Sequence, residues 1–63
     1  MSIWIKTSRE LPKEDIVVNT KIDDEDGLRN EEPLKYRGRL WFLPDDSEYV
    51  YYQPTHWRHA DAK

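Results

Sequence analysis

A tryptophan at position 4 and another at position 57 of a 63-residue chain set the strongest constraint on its fold. An aromatic side chain of this size carries roughly 150–250 Å² of surface. In so short a chain two such rings at opposite ends cannot both stay in water without cost. The two ends are therefore expected to converge on one core. No cysteine is present to cross-link that core by disulfides or a thiolate metal site. A chain of this length buries only about 60% of its unfolded surface. Its three Trp, four Tyr and one Phe are then the natural source of buried area, and self-association is a further one.

Length allows one domain, residues 1–63, with a frayed tail expected from about residue 59. Net charge is −3. Residues 10–32 hold nine acids against Lys13, Lys21 and Arg29, so the acidity is concentrated there and the remainder is basic. Such polarity suits an acidic face meeting a basic partner, or simply a solvated surface. Residues Met1 to Lys6 show no apolar run before a small-residue cleavage site, so no secretory leader is expected. No segment approaches the roughly 20 apolar residues of a membrane span. The expected location is the cytoplasm.

Along the chain, residues 3–6 read as a short strand. Thr7-Ser8-Arg9-Glu10 has the form of a capping box, with Thr7 as N-cap. Pro12 limits anything begun there to a single turn. Ile16 to Ile22 is β-branched and reads as a strand with Ile16, Val18, Thr20 and Ile22 on its core face. Asp26-Gly27 signals a turn, residues 23–32 read as a loop, and Pro33 marks the next strand's start. Leu34, Tyr36, Leu40 and Phe42 alternate with Lys35, Arg37, Arg39 and Trp41, with Gly38 as a hairpin or bulge. The three interleaved cations suit the protection of an edge strand. Residues 48–52 form a further strand, broken at Pro54. The fold class is mostly β, a small antiparallel sheet of four to five short strands, with one short helical turn allowed. Trp4, Leu11, Ile16, Val18, Leu40, Phe42 and Trp57 are the expected core.

The order Trp4-Ile5, Leu11-Pro12, Ile16-Val17-Val18, Tyr36 to Trp41 and Thr55-His56-Trp57 resembles a small phage and prophage family, the domain of unknown function numbered 551. The likeness covers residues 4–58. The chain departs from that pattern in the Arg58-His59-Ala60-Asp61 tail and in the heavier acidic stretch 23–26. The family has no assigned activity, so the resemblance implies a setting: an accessory protein of a mobile element in a bacterial cytoplasm.

His56, flanked by Thr55 and Trp57, has the chemistry of a general base, yet the sequence fixes no nucleophile or orienting carboxylate beside it, and a structural hydrogen bond is the simpler role. His56, His59 and Asp61 have metal-ligand chemistry, but the terminal segment preorganises nothing, so no metal and no cofactor is expected. Asp23 to Gly27 fails as a calcium loop, because placing Gly27 sixth puts Ile22 where a carboxylate is required. Arg37, Arg39, Trp41, Tyr49 and Tyr51 form an aromatic–arginine set of the kind enriched at protein interfaces. Asp23, Asp24, Glu25 and Asp26 add a second electrostatic handle. The expected function is a non-enzymatic interaction module contacting a host or viral protein. A nucleic-acid binder using the same face is the alternative, opposed by the net negative charge. A small hydrolase or metal enzyme centred on His56 is the second.

Overall fold

The computed structural model describes residues 3–60, and every regular element among them is a strand. These are β1 (Ile5–Lys6), β2 (Val17–Asp24), β3 (Gly27–Arg37), β4 (Leu40–Phe42) and β5 (His56–His59). They make one antiparallel sheet in the order β1-β5-β2-β3-β4. The mostly-β expectation holds. No helix forms among the described residues; the stretch expected as a single turn is one. At residues 7–9 the chain makes a turn in which the Lys6 carbonyl accepts from the amides of Arg9 and Glu10. The Thr7 hydroxyl donates to Pro54 O at 2.9 Å instead of capping a helix.

The chain ends do converge, since Ile5 pairs with Trp57. Trp57 is buried in a core with Val18, Leu34 and Trp41, and Ile5, Tyr36, Leu43, Val50 and Tyr52 pack against it. Strand alternation then carries Trp4 to the opposite face, so Trp4 is not a core residue. Loops close the core face. Pro12 and Pro54 are buried, and the Trp57 indole donates to Glu10 O at 2.8 Å. Burial beside the Glu32 carboxylate, to which its hydroxyl donates, pushes the Tyr52 phenol pKa well up.

Val18, Thr20 and Ile22 face the core as their spacing predicts. Thr20 is fully buried and donates its hydroxyl to Glu32 O at 2.8 Å, so its burial leaves no polar group unpaired. Ile16 is 43% exposed. It precedes β2 and follows Asp15, whose φ of 68° turns the chain away from the sheet. Leu11 and Leu40 are also exposed, and Phe42 lies half-buried on the face opposite the core.

Two hairpins explain the remaining departures. Gly38 and Arg39, at φ 57° and 68°, form a two-residue loop between paired Arg37 and Leu40, with both residues left-handed as type I′ requires. The loop pairs Tyr36 with Trp41, which puts these two on one face and moves Leu40 and Phe42 to the other. Trp41 is 1% exposed, a core residue and not the surface contact expected of it. At the other end of β3, Gly27 at φ 110° follows the Glu25-Asp26 turn. Residues 27–32, expected as loop, belong to β3. Asn30, at φ 54°, lies in a bulge between the Thr20–Glu32 and Ile22–Arg29 pairs. Pro33 sits inside β3, where β2 pairs on one side and β4, reaching only Lys35, leaves the other free. Pro33 and the bulge therefore protect that edge, while Lys35 is paired with both β2 and β4 and Arg37 with β4. β5 runs through His59, which pairs with Val18.

Candidate functional site on the second face of the sheet

The face opposite the core is assembled by register. Lys6 lies across from His56, His56 across from Lys21, Arg58 across from Asn19, and Lys35 across from Phe42. Phe42 in turn bridges to Tyr49. Strands β1, β4 and β5 contain no carboxylate at all. On an acidic protein the result is a row of cations, Lys6, Arg58, Lys21, Lys35 and Arg37, with aromatic rings at both ends.

One end neutralises itself. Arg37 donates from Nε to Asp15 at 2.6 Å and from Nη2 to Asp46 at 2.8 Å, and Lys35 Nζ reaches Asp46 at 2.8 Å. Both aspartates hold left-handed φ values of 68° and 64°, a conformation Asp tolerates better than most residues. The hydrogen bond from Lys35, aided by the charges of both cations, holds the Asp46 carboxyl below the usual carboxylate range. The hydrogen bond to Asp15 raises the Arg37 guanidinium pKa further. That guanidinium lies 4.9 Å from the Phe42 ring centre. Phe42 meets Tyr49 edge-on at 6.0 Å, and Tyr49 meets Tyr51 edge-on at 5.3 Å. Tyr51 is 92% exposed.

The other end is open. Lys21 Nζ and Arg58 Cζ lie 4.3 and 4.5 Å from the centre of the Trp4 ring, within the reach of cation–π attraction. Lys21 also stands 3.5 Å from Asp23. Among the described residues Lys6 and Arg58 make no ion pair. A groove of about 600 Å³ runs beside Trp4, bounded by Ile3, Lys6, Arg9, Lys21 and His56, with Glu10 the one carboxylate on its wall among the described residues.

His56 and Thr55 form a joint beside this groove. Thr55 Oγ1 accepts the Asp23 amide at 2.8 Å and lies 2.7 Å from His56 Nδ1, while Thr55 N donates to Lys21 O at 2.9 Å. The hydroxyl is thus engaged in holding β2 against the approach to β5. His56 and His59 lie on opposite faces, across from Lys21 and Val18 respectively, so one metal ion cannot bind both. The Asp61 expected to complete that set lies outside the described residues. Among the described residues no group of three His, Cys, Asp or Glu side chains is placed to hold a metal.

The structure therefore brings together Arg37, Tyr49 and Tyr51 of the expected site and sets Trp41 in the core. Arg39 is exposed in its turn. Asp24, Glu25 and Asp26 stand at the opposite end of β3 from the tyrosines. Asp24 is committed there to Arg29, which donates to it at 2.9 and 3.1 Å and holds its carboxyl pKa down. Sequence reading missed Trp4, Lys21, Arg58, Lys35 and Phe42 as one surface. The alternation of Asn19 and Lys21 with the core residues of β2 was a usable signal. Nothing local signals that β5 inserts between β1 and β2. Comparison with protein-family models, curated proteins and solved structures finds no match to this chain, and no helix among the described residues is long and apolar enough to cross a membrane.

Proposed function

We propose that this chain is a non-enzymatic interaction module that contacts a partner protein through the second face of its sheet. The single observation that supports this most is the run Arg37–Phe42–Tyr49–Tyr51, rings and guanidinium in mutual contact yet left partly in water. Aromatic and arginine side chains are the groups from which interface hot spots are most often built. The resemblance of the Trp4-Ile5, Leu11-Pro12 and Thr55-His56-Trp57 frame to a phage and prophage family points to an accessory protein acting in a bacterial cytoplasm on a host or viral protein. In the fold that frame is one joint: Ile5 pairs with Trp57, and Trp57 donates to the carbonyl preceding Leu11. Its residues hold the sheet together, and the contact surface lies outside most of them.

A base-stacking surface is less well supported. Phe42, Tyr49 and Tyr51 stand at 82° and 78° to one another, so successive rings do not offer parallel faces to successive bases. A hydrolase is less well supported too, because among the described residues the His56 ring meets the Thr55 hydroxyl and no orienting carboxylate. The test is a photo-crosslinking amino acid in place of Tyr51, with Leu28 on the acidic hairpin as the control position, in the natural bacterial host. One protein adduct formed from position 51 and absent from position 28 is the expected outcome. No protein adduct, or one removed by nuclease, overturns the reading.

A further inference from the structure

We propose that the open end of this face, where Lys6, Lys21 and Arg58 surround Trp4, docks an acidic polypeptide segment of the partner. The proposal rests on the interaction reading above and names the chemistry the partner must bring. Its ground is the asymmetry of the cationic row. At the Arg37 end, Asp15 and Asp46 already supply the counter-charge. At the Trp4 end, Asp23 is the sole described ion-pair partner, and it meets only Lys21, at the long distance of 3.5 Å. Lys21 and Arg58 are held in place by the indole, with their aliphatic stems on the sheet. An incoming carboxylate therefore finds positioned cations and does not bear the full cost of ordering them.

The same geometry selects among anions. Two cations already lie over the Trp4 ring, so it is not free to stack a base, and stacking is what sequence-tolerant strand binding requires. The chain's own acidic hairpin, Asp24 to Asp26, has suitable charge. Seating it on a second copy would require Asp24, which Arg29 already neutralises at 2.9 and 3.1 Å, to give up that pair. A separate acidic segment meets neither objection.

Fluorescence anisotropy with the full chain tests this. The probes are a labelled twelve-residue peptide rich in glutamate and an oligothymidylate of equal length. The peptide is expected to bind at low salt and to lose at least tenfold in affinity in the double variant Lys21→Gln/Arg58→Gln. Lys13→Gln/Arg39→Gln, which removes equal charge elsewhere, is expected to keep wild-type affinity. Thermal melts establish that both variants fold. Equal losses in the two variants overturn the proposal, as does tighter binding of the oligothymidylate. Concentration-dependent assembly in the ultracentrifuge that Lys21→Gln/Arg58→Gln abolishes also overturns it, in favour of a second copy. If neither probe binds while position 51 still crosslinks a protein, the acidic-segment proposal falls and the interaction reading stands. If both experiments fail, both fall.

Discussion

On the core face Val18, Leu34, Trp41 and Trp57 are withdrawn from water, while on the opposite face Trp4, Lys21, Arg58, Phe42 and Tyr49 keep part of their surface exposed. Trp4 and Trp57 make the contrast sharpest. Trp4 directly precedes Ile5, the β1 residue that pairs with Trp57. Trp57 is 2% exposed and its indole is satisfied by a backbone carbonyl. Trp4 lies under two cations at the border of a groove. The same side chain thus serves stability on one face and presents charge on the other, and strand parity alone decides which. Tryptophan count therefore overstates the size of this core.

The contrast breaks or holds first on truncation. Trp57→Ala should cost about 3–5 kcal/mol, enough to leave a domain of this size largely unfolded. Trp4→Ala should cost only about 1–2 kcal/mol, the scale of two partly exposed cation–π contacts. Urea midpoints measure both, and equal losses would erase the distinction between the faces. Next in size is the turn that sets Trp41 on the core side. Gly38→Ala should cost about 1–2 kcal/mol, since it forces a side chain into a left-handed conformation. Thr20→Val should cost about 1 kcal/mol by removing one buried hydrogen bond at nearly constant volume. A stabilised Thr20→Val would mean that the hydroxyl is tolerated and not used.

The smallest effect belongs to the clamped end of the second face. The Asp46 carboxyl is held below its ordinary value of 3.8 by Lys35 and Arg37. Its contribution to stability is therefore full above that value and is lost as pH falls through the lowered one. Urea midpoints followed from pH 5 to pH 2 should fall less steeply in Asp46→Asn than in the wild type. Identical pH profiles would mean that these exposed pairs contribute nothing measurable, as many surface pairs do.

Much of this fold was legible in local pattern. The period-two spacing of Val18, Thr20 and Ile22 located β2 and its inner face, and Asp26-Gly27 located its turn to within one residue, the loop being Glu25-Asp26 with Gly27 opening β3. Strand periodicity does not carry across a loop. Leu34 and Tyr36 do share a face, but the two-residue turn at Gly38-Arg39 makes Trp41, not Leu40 or Phe42, their neighbour. Pro33 was read as a strand start because proline breaks a ladder. It is tolerated mid-strand here because β4 is too short to reach it. Of the site, Arg37, Tyr49 and Tyr51 were legible from aromatic and arginine content. The Trp4, Lys21 and Arg58 cluster was not, because it depends on β5 returning between the first two strands, a long-range pairing that no local signal encodes.

The most direct test of the account uses the side-chain N–H signals of the three tryptophans, Trp4, Trp41 and Trp57, during an NMR titration with the glutamate-rich peptide. The Trp4 indole signal is expected to shift progressively while those of Trp41 and Trp57 stay in place. Binding that leaves Trp4 unmoved, or that moves all three alike, would contradict it.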